Sequence, residues 1–237
     1  MSQEAITIVI DGVEVKAQPG QTIMQAAEAA GIYIPHLCYH KDLPPGGHCR
    51  VCTVKVNGKP ASSCTHPVSD GMVIENDTEE LKTKRREIIE MLFAGGNHFC
   101  PFCEASGDCE LQALGYRLGM MAATYQHLYP KHTVDASHKD LFIDRDRCVL
   151  CGRCVRASET KDGKHVFGFE GRGINKEVSV DAPDDLSETD MVATDKAATI
   201  CPVGSLKLKR VGYKTPYGER TYDKAPIGSD VEKKQTV

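Results

Sequence analysis

The sequence predicts an α+β fold built from several small units, on three observations. Two tight Asx-Gly hairpins flank a capped helix near the start, a longer amphipathic helix follows, and eleven cysteines gather into three separated groups. Hairpins and helices in succession, with no repeating strand–helix alternation, are the pattern of α+β units and not of a parallel sheet.

Residues Ile6 to Ala17 place β-branched side chains on both sides of Asp11-Gly12, whose glycine tolerates the positive φ of a type I′ turn. Gln18-Pro19-Gly20 then breaks the chain. Thr22 caps a helix running to Ala30, with Gly31 as its stop. A second hairpin spans Arg50 to Ser63 and turns at Asn57-Gly58. Asp77 to Phe93 reads as a helix with Asp77 as N-cap and Glu80 three residues on; Leu81, Ile88, Ile89, Leu92 and Phe93 share one face, and Gly95-Gly96 ends it. A shorter helix from Glu110 to Met121 carries Leu111, Leu114, Leu118 and Met121 at helical spacing, against the cost of Gly115 and Gly119. A strand pair is expected near Val166–Phe169 and Glu177–Val180, before the acidic stretch Asp181–Asp190. Tyr213 to Val237 is polar, holds Pro and Gly and has no periodicity, so an exposed tail is expected there. The expected boundaries are therefore 1–78, 79–139, 140–212 and a tail, 213–237.

Composition narrows the function. At 41% hydrophobic and 26% charged residues the chain is a folding one. A formal charge of −4, 6% aromatics and no Trp disfavour nucleic acid as a partner. No apolar run approaches the roughly 18 residues of a membrane span, and Met1-Ser2-Gln3-Glu4 lacks the basic start of a secretory signal. Eleven cysteines, an odd and high count without an export signal, then point to metal or redox chemistry in a reducing compartment, the cytoplasm, and not to disulfides.

The groups are Cys38, Cys49, Cys52, Cys64; Cys100, Cys103, Cys109; and Cys148, Cys151, Cys154 with Cys201-Pro202 far downstream. In the third, a C-x2-C-x2-C loop brings three thiolates onto one metal core and a distant Cys-Pro supplies the fourth, the pattern of a 4Fe–4S cluster. The position that would serve a second cluster holds Ser158, so one cluster is expected. Zinc is the rival, but it ordinarily takes two separated pairs, and three cysteines in seven residues crowd a single ion. The first group, a C-x2-C before a strand with one cysteine well upstream and one downstream, suits a 2Fe–2S centre. Cys38-x-His40 hints at a Rieske centre, but the matching C-x2-H is missing and four cysteines suffice; His36, His48 and His66 read as surface or loop residues. The second group lacks a fourth thiolate, and His98 is the candidate, because histidine is the commonest non-thiolate ligand and a helix ended by Gly95-Gly96 delivers it. A three-cysteine, one-histidine zinc site and a cluster with an open iron remain alternatives there. Clusters held by eleven thiolates add negative charge that needs amide donors and cations nearby. Arg50, Arg147, Arg153 and Arg156 can supply it, or can be solvated surface charge.

Pro35-His36-Leu37-Cys38-Tyr39, Cys49-Arg50-Val51-Cys52, Cys100-Pro101-Phe102-Cys103-Glu104 through Cys109-Glu110-Leu111-Gln112, Arg147-Cys148-Val149-Leu150-Cys151-Gly152-Arg153-Cys154 and Cys201-Pro202-Val203-Gly204 occur in that order. Together they resemble the N-terminal iron–sulfur portion of the large NADH-dehydrogenase subunit of respiratory complex I, over roughly residues 5 to 210. Complex I usually shows H-x3-C where this chain has His98-x-Cys100. The complex I subunit and the large subunit of NAD-linked formate dehydrogenase continue for several hundred residues, whereas this sequence stops soon after Cys201-Pro202. With Gly96-Asn97-His98-x-Cys100 and this length, it is similar to the gamma-type iron–sulfur diaphorase subunit of cytoplasmic NAD-reducing NiFe hydrogenases.

The resemblance implies a β-grasp, ferredoxin-like 2Fe–2S unit, then a small helical 4Fe–4S unit with one histidine and three cysteine ligands, then a ferredoxin-like 4Fe–4S unit. It implies a relay that passes single electrons between a flavin subunit reacting with NAD and the small and large hydrogenase subunits of a heteromultimer. FMN and NAD are expected on the partner, since no strand here is followed by G-x-G-x-x-G and Gly171-Arg172-Gly173 lacks the third glycine and the helix. No catalytic residue is expected in this chain. The same relay in an NAD-linked formate dehydrogenase or a complex I-type enzyme is the alternative. Two other classes make separate predictions: a zinc-stabilised structural protein would be colourless and folded only with zinc, and a catalytic subunit would hold an open iron at the three-cysteine group.

Overall fold

The computed structural model describes residues 6–232. The N-terminal tetrapeptide read for a signal, and the last five residues of the expected tail, lie outside them.

The first unit is a mixed five-stranded sheet crossed by one helix. Strands β1 (Ile6–Ile10), β2 (Val13–Ala17), β3 (Thr53–Val56), β4 (Lys59–Ser62) and β5 (Val73–Glu75) lie in the order β2-β1-β5-β3-β4. β1 and β5 run parallel, and the two hairpins close antiparallel on the outside. Both turns are as the dipeptides predict: Asp11 and Gly12 have φ of 49° and 84°, Asn57 and Gly58 of 49° and 79°. Helix α1 (Ile23–Ala29) starts at Thr22, whose side chain accepts from Gln25 N–H while Gln25 bonds back to the cap. It buries Ile23, Met24, Ala26 and Ala27 against Ile8, Ile10, Val54 and Ile74. Two edge hairpins around a parallel central pair, with a helix on one face, is the β-grasp arrangement. Cys52 and Cys64 belong to this core.

Helix α2 (Glu79–Ala94) begins one residue later than expected. Thr78, not Asp77, is the N-cap and accepts from Leu81 N–H. Asp77 is occupied otherwise, its N–H on the Asp11 carboxylate and its own carboxylate on Lys82. Helix α3 (Glu110–Arg117) is shorter than the spacing suggested. Gly119, at φ 68°, turns the chain away, and Met121 ends up fully in solvent. Ile89 of α2 and Leu111 and Leu114 of α3 share a core with Leu37, Cys38 and Val51 from before them and Cys151 and Val203 from after them. The middle of the molecule is thus packed by residues from all three parts of the chain.

The third part holds a small sheet of β10 (Leu206–Leu208), β7 (Leu141–Asp144) and β6 (Val134–Asp135), and the expected hairpin of β8 (Phe167–Glu170) with β9 (Glu177–Val180). Short helices α4 (Arg153–Ala157) and α5 (Lys196–Thr199) complete its core with Leu141, Ile143, Phe167, Leu186 and Leu206.

Residues 213–219 are exposed, as their composition suggests, but the segment that follows is not a free tail. It forms a strap with two short helices, α6 (Thr221–Lys224) and α7 (Ser229–Glu232). Ile227 and Val231 enter the central core, Tyr222 N–H bonds Gly107 C=O, Thr221 N–H bonds the Asp108 carboxylate, and Arg117 pairs with Glu232. These anchors are isolated side chains and backbone amides, so no periodicity betrays them. Among the described residues no helix is long and apolar enough to cross a membrane.

Candidate metal centres

All eleven cysteines are free thiols. The first four come from two loops of the β-grasp unit: Cys38 follows α1, Cys49 and Cys52 precede β3, and Cys64 follows β4. Arg50 adopts φ 62°, which curls the C-x2-C loop inward. Cys38 N–H donates to Cys49 Sγ at 3.4 Å, and the Cys52 and Cys64 sulfurs lie 3.4 Å apart. Hydrogen bonds from the Cys49 and Cys64 thiols hold Cys38 well below the usual thiol range, and the Cys64 thiol brings Cys52 down to about 7. Four sulfurs close enough for the Cys49 and Cys64 thiols to hydrogen-bond the Cys38 and Cys52 thiolates fit a cationic metal–sulfide core. Of the nearby histidines, His36 is packed between Tyr33 and Tyr39, with Nδ1 on Ile34 C=O. His48 is exposed, and His40 Nδ1 accepts from Asp42 N–H.

The second group converges after α2. Gly95 caps that helix, Asn97 N–H anchors to Asp146 C=O at 2.7 Å, and His98 follows. His98, Cys100, Cys103 and Cys109 line one small cavity together with Phe93, Arg147 and Gly204. His98 Nε2 is buried and has no hydrogen-bond partner. Burial, then the charge of Arg147, lowers its pKa to about 4, which keeps the imidazole neutral, the form that binds metal. An orphaned buried ring nitrogen is costly, and a metal beside Cys100, Cys103 and Cys109 would use it. Gly204 completes the cradle: a Cβ there would lie 2.5 Å from Cys103 Sγ.

Cys148, Cys151, Cys154 and Cys201 line a second small cavity with Ile143, Val178 and Leu206. Leu150 at φ 51° and Gly152 at φ 68° wind the loop, and Leu150 N–H reaches Cys148 Sγ at 3.4 Å. Burial pushes Cys148 up to about 11 and Cys151 up to about 12. Burial raises Cys154 as well, and thiols such as Cys148, Cys151 and Cys154, which resist ionising alone, ionise readily around a bound cation. The donor sets in all three places therefore fit iron–sulfur cores, and each sequence-predicted ligand is brought to its own group.

Sequence reasoning left the connections between groups unresolved. Arg153 donates to both Glu110 oxygens at 2.6 Å and to Tyr39 C=O at 2.8 Å. Arg156 reaches Cys38 C=O at 2.6 Å and Cys151 C=O at 3.2 Å. Arg147 lies 3.7 Å from Cys103 Sγ. Arg50 turns instead to the Ser62 hydroxyl. Their adjacency to cysteines was the available signal; which of them bridge two groups depends on contacts distant in sequence.

Three family models, curated relatives and a solved structure match the chain. Residues 3–79 match the 2Fe-2S iron-sulfur cluster binding domain, residues 85–123 the NADH-ubiquinone oxidoreductase-G iron-sulfur binding region, and residues 141–208 the 4Fe-4S single cluster domain. The chain is 41% identical over 227 residues to the gamma subunit of the NAD-reducing hydrogenase HoxS of Cupriavidus necator, covering 92% of this chain and 94% of that one. It is 32% identical over 213 residues to the mitochondrial NADH-ubiquinone oxidoreductase 78 kDa subunit of Candida albicans, covering 88% of this chain but 29% of that one. Among solved structures, a chain of an NAD+-reducing NiFe-hydrogenase in the H2-reduced state superposes with a TM-score of 0.93 at 45% identity, covering 97% of this chain and 98% of that one.

Proposed function

Because this chain belongs to the family of the NAD-reducing hydrogenase gamma subunit, we propose that it is the electron-relay subunit of a multisubunit NAD-linked hydrogenase. It has iron–sulfur binding domains of the 2Fe-2S and 4Fe-4S kinds. In our reading Cys38, Cys49, Cys52 and Cys64 hold a 2Fe–2S cluster, His98, Cys100, Cys103 and Cys109 a 4Fe–4S cluster, and Cys148, Cys151, Cys154 and Cys201 another. The corresponding units are 1–78, 79–139 and 140–212, with 213–232 strapped across the second.

The observation that carries the reading is that eleven free thiols and one orphaned imidazole nitrogen gather in three places with no cysteine left over. When bound, the clusters supply one-electron redox chemistry, which divides the two electrons of a hydride into single steps. The chain's own residues do the rest. They bury the ligands, aim amide N–H groups at sulfur, and hold the groups in register through Arg153 and Arg156. FMN and NAD belong to a partner subunit and the hydrogen-reacting site to another, in the cytoplasm, where thiols stay reduced.

The test is to assay the chain alone and with its flavin-bearing partner. Paramagnetic signals should appear on adding NADH only when the partner is present. NADH oxidation by the chain alone, or no reduction with the partner bound, would contradict the proposal. The catalytic chain that co-purifies distinguishes a hydrogenase from a formate dehydrogenase or a complex I-type enzyme.

A further inference from the structure

Of the four arginines beside cysteines, one touches a cysteine sulfur. Arg147 precedes Cys148 and so belongs by backbone to the third group, yet its Nη1 lies 3.7 Å from Cys103 Sγ of the second. Two carboxylates aim it. Asp144 pairs its carboxylate with Nε at 2.8 Å as an ion pair, and Glu104, the residue after Cys103, accepts from Nη1 at 3.0 Å. Gly204 leaves room for the Cys103 sulfur that Arg147 reaches, since a Cβ there would lie 2.5 Å from that sulfur. Arg147 and His98 line the same cavity.

We propose that Arg147, oriented by Asp144 and Glu104, sets the reduction potential of the second centre and is a positioning and tuning residue for it. The inference rests on the reading of Cys103 as a cluster ligand. Reduction brings one electron from the flavin partner, breaks no bond at Arg147 and moves no proton from it. The negative charge on the ligand sulfurs grows. A donor N–H and a full positive charge at Cys103 both favour that state, so they raise the potential. Glu104 opposes them through the same guanidinium. The two residues therefore pull in opposite directions, which simple support of the loop does not do. Arg153 and Arg156, by contrast, use their donors on carbonyl oxygens and on Glu110.

The experiment is an anaerobic redox titration of the full chain, followed by electron paramagnetic resonance with iron and sulfide analysis of each sample. Wild-type protein without a second-centre signal or its iron would sink the underlying reading itself. With the signal present, R147Q should be harder to reduce, by at least a tenfold change in the oxidised-to-reduced ratio at fixed potential, about 59 mV for one electron. E104Q should shift the same signal the other way. R147K, which keeps the charge and loses the planar fork, should fall between R147Q and wild type. The first centre is the internal reference. Second-centre potentials unmoved in the variants, or moved in one direction by both R147Q and E104Q, would overturn the proposal. If R147Q does not load iron, E104Q and R147K decide it by the same criteria.

Discussion

Arg153 on α4 and Glu110 at the start of α3 form a two-pronged ion pair, each bond 2.6 Å, with Arg153 2% exposed. Glu110 follows Cys109 and Arg153 precedes Cys154, so the pair ties the second cysteine group to the third. The same guanidinium takes Tyr39 C=O, next to Cys38, and so reaches the first group as well. Breaking one partner of a buried pair costs about 3 kcal/mol or more. The R153M variant should therefore unfold roughly 6–12 °C lower in a thermal scan. Replacing both partners, R153M with E110L, should recover part of the loss, because no charge is then left stranded. A single variant as stable as wild type would show that the pair holds nothing together.

Gly204 offers a test of the second centre that touches no ligand. A methyl at this position would lie 2.5 Å from Cys103 Sγ. G204A should displace Cys103, and iron analysis should show selective loss of about four irons per chain, with the spectra of the other two centres retained. Full iron content in G204A would place Cys103 outside the centre.

His98 separates a ligand from a bystander. H98A should lose iron from the second centre, whereas H98C should keep the iron and be harder to reduce, since a thiolate brings negative charge where a neutral imidazole stood. Unchanged second-centre spectra in H98A would leave an open iron or another ligand as the answer.

The strap makes a prediction about the chain's own stability. Truncation after Gly212 removes the buried Ile227 and Val231, roughly 1.5–3 kcal/mol for each side chain, and should lower the thermal midpoint and expose α3 to hydrogen exchange. Acid should loosen the strap too. Its hydrogen bond from Arg220 brings Asp223 from 3.8 down to about 2. A carboxylate depressed in the folded state stabilises fully above its unfolded value and loses that contribution as pH falls through the folded one. Residues 218–224 should exchange more slowly in wild type than in D223N above about pH 4, and the difference should vanish by about pH 2. Equal exchange at neutral pH would show that this pair does not anchor the strap.

Much of this was legible in the sequence where a local rule decides the structure. Asp11-Gly12 and Asn57-Gly58 set their turns by positive φ alone, and the cysteine spacings sort the ligands without any fold. What was hidden is tertiary. β5 is three residues, Val73-Ile74-Glu75, made a strand only by pairing with β1 and β3. The N-cap of α2 moved to Thr78 because Asp77 is engaged by Asp11 and Lys82. Contacts such as Arg147 to Cys103 and Arg117 to Glu232 join residues 44 and 115 positions apart, a separation that no periodicity or motif reports.

The central claim, that three sets of side chains hold iron–sulfur cores, meets its most direct test in the metal and sulfide content of the anaerobically purified chain. The account predicts about ten irons with matching acid-labile sulfide per chain, a brown colour, and three distinct signals on stepwise reduction. Zinc at two or three atoms per chain, with no sulfide and no colour, would contradict it.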